Sequence, residues 1–199
     1  MIKNVVFDLG RVLINFQPEA YLQRLFPGHT EIGFLRSAIF GSPEWLMLDR
    51  GVIDQAEAEI RLINQHPQFK KEIQAAFADW FSMLTPIEEN AALLPELKGK
   101  GCGLYVISNF HTDAFAYIKE RYSWFKLFDG MIISCDHQVL KPEPRIYSLL
   151  LERWGLLAKE CLFIDDVSAN VEGARRMGME AILYESHQQL LKELQSRLK

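Results

Sequence analysis

The chain has 199 residues, 49% of them hydrophobic and 24% charged, and its 22 Lys and Arg against 26 Asp and Glu leave a net charge of −4. That is enough apolar material for one core, or a core with a small accessory domain, and the mildly acidic balance excludes the basic footprint of a nucleic-acid binder. No apolar run nears the ~20 residues that span a bilayer, and three cysteines with nothing to suggest secretion predict free thiols in a reducing cytoplasm.

The first run, Val5-Val6-Phe7, breaks at Asp8, too soon for the apolar stretch of a signal peptide. It reads as a short strand buried on both faces, and so do Leu104 to Ile107, Met131 to Ile133, Leu162 to Ile164 and Ala181 to Leu183. Amphipathic stretches of helical length lie between the later runs, at about 112–121, 144–154 and 168–177, with another at 187–198. The segment from about 16 to 90 has no such strands but carries helix punctuation. Ser42-Pro43 reads as N-cap and first helical residue, and Asp54-Gln55-Ala56-Glu57 and Thr85-Pro86-Ile87-Glu88 read as capping boxes. Ile73, Phe77, Trp80 or Phe81, and Leu84 recur at helical spacing and predict core packing. The pattern predicts an α/β fold: a Rossmann-like, doubly wound parallel sheet (1–15 and 90–199) with a small helical cap (16–89) inserted after the first strand.

In an open parallel sheet, ligands bind beyond the carboxyl ends of the strands. Here those ends run into Asp8, into Ser108-Asn109 and into Asp165-Asp166, and Lys141 follows the third run within Lys141-Pro142-Glu143-Pro144. Carboxylates gathered at one edge repel each other unless a cation lies between them, and hard oxygen ligands without a supporting His/Cys set point to Mg²⁺. Lys141, stiffened by Pro142, offers a compact positive charge to a phosphate or a carboxylate.

These four segments, Phe7-Asp8-Leu9-Gly10-Arg11-Val12, Val106-Ile107-Ser108-Asn109, Lys141 to Tyr147 and Phe163-Ile164-Asp165-Asp166, resemble the four motifs of the haloacid dehalogenase superfamily. The likeness is to the branch that holds α-glucose-1-phosphate phosphatases and the phosphatase domain of epoxide hydrolases. It implies a Mg²⁺-dependent phosphatase in which Asp8 is the nucleophile and becomes an aspartyl-phosphate. Asp8, the Gly10 carbonyl and Asp166 would hold the metal, with Asp165 an adjacent ligand or its partner. Ser108 and Asn109 would hold the phosphoryl oxygens, and Lys141 would balance the charge of Asp8 and phosphate. Asp49-Arg50-Gly51 resembles the loop by which the cap reaches over the site, which makes Arg50 a candidate for substrate oxygens. The small cap favours a small phosphorylated metabolite, a sugar phosphate such as a hexose-1-phosphate, in a chain that acts as a monomer or homodimer.

The match departs at Gly10, where many phosphatases of the superfamily carry an Asp acting as general acid and base. His111, a cap acid such as Asp49, or solvent are the candidate substitutes. Trp45 and Phe16 read as cap packing or as an apolar wall. Three rival functions remain: a non-catalytic phosphate-binding protein, against which the intact nucleophile argues; a phosphomutase, which Gly10 disfavours; and a 2-haloacid dehalogenase, which needs no Asp165-Asp166 pair.

Overall fold

A computed structural model describes residues 1–198. The five runs form strands: β1 (Asn4–Phe7), β2 (Gly103–Ser108), β3 (Gly130–Ile133), β4 (Cys161–Asp165) and β5 (Glu180–Leu183). They pair in parallel throughout, in the order β3-β2-β1-β4-β5, which puts β1 at the centre. Alternation along each strand separates two cores. Val5 and Phe7, with Leu104, Val106, Leu162 and Ile164, face the larger core, while Val6, Tyr105, Ile107 and Phe163 face the smaller.

Between β1 and β2 the chain makes α1 (Pro18–Leu25), α2 (Ile32–Phe40), α3 (Pro43–Arg50), α4 (Gln55–Gln65), α5 (Lys70–Asp79), α6 (Glu88–Ala91) and α7 (Leu93–Gly99). Then follow α8 (Thr112–Arg121), α9 (Ser134–His137), α10 (Pro144–Trp154), α11 (Ser168–Arg176) and α12 (His187–Arg197). Leu94 and Leu97 of α7, Ile118 of α8 and Leu190 of α12 pack into the larger core, whereas Ile146 and Tyr147 of α10 and Val171 of α11 pack into the smaller. Helices therefore cover both faces, as double winding requires.

The expected caps hold at two helices. Ser42 Oγ accepts from the Trp45 N–H at 3.0 Å, and Asp54 Oδ1 from the Glu57 N–H at 2.8 Å. Thr85 to Glu88 is not a capping box, because α6 starts at Glu88 with Ile87 as its N-cap. Residues 13–15 recruit that backbone instead. Asn15 N–H donates to the Thr85 carbonyl at 2.7 Å, Ile87 N–H donates to the Leu13 carbonyl at 2.8 Å, and Ile14 bridges Pro86. The outgoing and returning chains are thus zipped together beside the end of β1. Ile73, Phe77, Trp80 and Leu84 pack into the larger core as expected, although α5 stops at Asp79 and Trp80 to Met83 form a 3₁₀ turn.

Candidate active site

The sheet register builds the site. Phe7 pairs with Val106 on one side and Ile164 on the other, so Asp8, Ser108 and Asp165 arrive together at the carboxyl edge. Asp8 N–H donates to the Ile164 carbonyl at 2.9 Å, which extends the ladder by one residue and fixes the backbone of Asp8. Its Oδ1 then accepts three donors, each at 2.7 Å: the Leu9 N–H, the Ser108 hydroxyl and the Lys141 ammonium. No hydrogen bond engages Oδ2 among the described residues, and this oxygen keeps its lone pairs.

Lys141 joins the two strand-end acids, at 2.7 Å from Asp8 Oδ1 and 2.6 Å from Asp165 Oδ2. Asp165 is fully buried and saturated: its Oδ1 accepts the Val167 N–H at 2.8 Å, and Asn170 Nδ2 lies 3.0 and 3.1 Å from its two oxygens. Asp166 is only partly buried and its nearest cation is Arg11, at 3.8 Å. Arg11 takes a positive φ of 58° in the turn after Leu9, a conformation uncommon for a side chain of that size.

The charge balance follows from this geometry. The Asp8 carboxyl is raised to about 7, because burial and the charge of Asp165 push it up by more than Lys141 pulls it down. Burial and then Asp165 also raise Asp166. Burial works against the Lys141 ammonium, but Asp165 and Asp8 outweigh it and hold the lysine charged above its ordinary range. Asp8, Asp165 and Asp166 each offer an oxygen, all within 4.8 Å of one another. One lysine against three carboxylates leaves the cluster short by the charge of a divalent cation, and an all-oxygen donor set suits Mg²⁺. The residues fit that ion: Asp8 and Asp166, with the Gly10 carbonyl beside them, would hold it, and Asp165, already engaged by Lys141 and Asn170, would support them.

Two residues expected on the phosphoryl oxygens are engaged with protein groups. Ser108 holds Asp8, so a phosphate would compete with the carboxylate for its hydroxyl. Asn109 grips the Lys141 main chain, its Oδ1 accepting the N–H at 2.8 Å and its Nδ2 donating to the carbonyl at 3.2 Å. Its side chain therefore sets the position of Lys141. The Arg50 guanidinium pairs with Glu143 and donates to the Gln138 carbonyl at 3.0 Å, which ties α3 to the lysine loop.

Asn170 and Ser134 were not foreseen as site residues. Asn170 had a legible signal, a polar residue in the first turn of the helix after a strand-end Asp; Ser134 had none, since only the fold brings its hydroxyl to the Asp49 carbonyl and the Phe110 N–H. Over the carboxylate edge the helical insertion encloses a cavity of about 80 Å³ whose walls include Phe16, Trp45, Trp80 and Leu84, with Gly10, Asn109, Asp49 and His111 as its other contributors of note. Trp45 thus does both things expected of it: it is buried among Phe16, Phe40 and Trp80, with centroids at 5.9, 4.7 and 4.9 Å, and it lines the cavity.

A central parallel sheet with three acids and a lysine at its carboxyl edge, roofed by helices, defines a class of α/β hydrolytic enzyme. Residues 2–178 match the model of the haloacid dehalogenase-like hydrolases, and the chain belongs to that family. It is 30% identical over 177 residues to the sesquiterpene phosphatase astK of Aspergillus oryzae, covering 89% of this chain and 87% of that protein. Over 68 residues it is 41% identical to the bifunctional epoxide hydrolase 2 of Mus musculus, of which this chain spans only 12%. The HAD family enzyme bt-2542 of Bacteroides thetaiotaomicron, solved in complex with magnesium and inorganic phosphate, superposes with a TM-score of 0.74 at 26% identity, covering 93% of this chain and 95% of that one. Among the described residues no helix is long and apolar enough to cross a membrane.

Proposed function

We propose that the chain is a Mg²⁺-dependent phosphomonoesterase working through an aspartyl-phosphate on Asp8, with residues 16–89 as the cap over its site. The observation that carries this reading is the nucleophile itself: a carboxylate with one oxygen held by three donors and the other free, beside a lysine and a cluster that lacks a divalent charge. The phosphate in the related bt-2542 complex and the phosphatase name of the Aspergillus relative support it. Bound Mg²⁺ would supply charge neutralisation, which lets an anionic nucleophile approach a phosphate dianion.

The free oxygen of Asp8 attacks phosphorus in line, the ester P–O bond breaks and the alcohol departs with a proton. Water then attacks the aspartyl-phosphate, the bond to Asp8 breaks and phosphate leaves. Lys141 steadies the negative charge in both steps, and Asn109 and Asp165 hold it in place.

For the substrate we infer a small phosphorylated metabolite, with a sugar phosphate such as a hexose-1-phosphate as the first reading. The aromatic and aliphatic wall formed by Phe16, Trp45, Trp80 and Leu84 favours a second, a phosphate ester with an apolar organic group. Phosphate release from a panel holding both ester types, with Mg²⁺ and with EDTA, tests the proposal in wild type and Asp8→Asn. Mg²⁺-dependent release lost in the variant is expected, and the better ester type decides between the two readings. Release that survives in Asp8→Asn, or none from any ester, overturns the mechanism.

A further inference from the structure

The phosphatase reading leaves a chemical gap at Gly10, because the departing alkoxide needs a proton and glycine carries none. Resting on that reading, we infer that Asp49 is the acid and base of the reaction and that His111 relays its proton to solvent. Gly10, Asp49, His111 and Asn109 all border the same cavity. A Cβ at Gly10 would meet no atom within 4 Å, so position 10 has room for a side chain.

The backbone at Asp49 is tied to the core. It sits in the last turn of α3, and its carbonyl accepts from the Ser134 hydroxyl. The next residue, Arg50, pairs with Glu143. Gly51 then turns at φ 71° directly over the Cys135 backbone, where an added Cβ would lie 2.5 Å from the carbonyl oxygen. Three consecutive residues thus lock this corner of the insertion onto the core, and they fix Asp49 without using its carboxylate.

His111 backs it. The imidazole is 6% exposed, with the rings of Trp45 and Trp80 at 4.3 and 5.0 Å, and its Nε2 lies 3.2 Å from Asp49 Oδ1. The approach is off the line of a hydrogen bond, which leaves the buried nitrogen without an aligned partner. A buried polar atom in that state is costly unless it has a use. His111 also borders an outer cleft of about 470 Å³, lined by Asp54, Glu57 and Asp113, which Asp49 does not reach. His111 therefore borders both the cavity and the cleft, while Asp49 borders the cavity and not the cleft. In the first step the ester oxygen takes the proton of Asp49 as the P–O bond breaks; in the second the attacking water gives a proton back to Asp49 and restores it, and between turnovers His111 keeps Asp49 in proton exchange with the cleft. The proton count closes over one turnover.

A positioned acid contributes ~10²–10⁴-fold when the leaving group is a poor one, and little when the leaving group departs as a stable anion. The test compares kcat/KM for an alkyl phosphate and for 2,4-dinitrophenyl phosphate, since kcat/KM reports transfer to Asp8 and not the later water step. Asp49→Asn is expected to lose about 100-fold on the alkyl ester and less than about threefold on the aryl ester, with His111→Gln showing the same split more weakly. Gly10→Asp added to Asp49→Asn is expected to recover at least about tenfold on the alkyl ester, through the open space at position 10. Equal losses on both esters, or no loss on the alkyl ester, overturn the inference. Should Asp49→Asn fail to fold, the split in His111→Gln decides alone. Failure of the phosphatase reading is distinct, because wild type would then release phosphate from neither ester.

Discussion

The two sides of the site are built on different physical terms. On the sheet side, Asp8, Ser108, Lys141 and Asp165 are buried, and the hydrogen bonds among them stand on strand ends whose backbone the ladder already fixes. On the insertion side, aromatic rings dominate, and its acid at the cavity, Asp49, lies close to His111 of the sheet domain but unaligned with it. The lesson is a division of labour. The core holds charge in a rigid frame with little freedom to vary, while the insertion brings aromatic shape and one acid, Asp49, through a corner tied down by three residues.

Breaking the charged wall should have the largest effect. Lys141→Met leaves Asp8 and Asp165 side by side without a cation, so kcat is expected to fall on the order of 10²–10³-fold, with a stability loss of about 3–5 kcal/mol. Steady-state kinetics at saturating Mg²⁺ and a urea melt check both figures; a fall below about tenfold would contradict the role given to the lysine.

The same wall carries stored electrostatic cost. Asp8 titrates at about 7 in the folded protein against an ordinary 3.8, so the folded state binds the proton more tightly than the unfolded chain does. Its stabilising contribution is whole below pH 3.8 and is lost as pH rises to 7. Metal-free Asp8→Asn should therefore melt several degrees above metal-free wild type at pH 8, with the gap closing towards pH 4. A gap independent of pH in thermal melts would show that the carboxylate bears no such cost.

Smaller effects are expected where the insertion meets the core. Gly51→Ala combines a left-handed φ with a Cβ pressed onto the Cys135 carbonyl, and should cost ~1–3 kcal/mol in a denaturant melt. Arg50→Ala sharpens the comparison further. Its pair with Glu143 is more than a third exposed on both sides, so the loss should stay within about 1 kcal/mol, and KM should not change. A raised KM at constant kcat would instead place Arg50 on the substrate.

Much of the charged wall was legible in the chain, because a short apolar run that ends in Asp or Ser both predicts the strand and says where its last side chain points. The helices at 112–121 and 144–154 likewise match α8 and α10. The insertion was less legible. Thr85 and Pro86 carry a local capping signal that lost to pairing with residues 13–15, a contact about seventy residues away in sequence. The partners of Arg50 and Asn109 were not legible for a related reason. A charged or amide side chain near a site reads as a ligand, but Glu143 and the Lys141 main chain claim them, and only the tertiary fold brings those partners within reach.

The central claim is that phosphorus passes through Asp8. Mixing Mg²⁺-saturated wild type with the best ester, quenching in acid within one turnover and sequencing the peptides by mass spectrometry tests it directly. The account predicts a phosphoryl group on Asp8 that forms and decays fast enough to carry the measured kcat. Full turnover with Asp8 unmodified at every quench time would mean that water attacks the ester itself, and the nucleophile assigned here would be wrong.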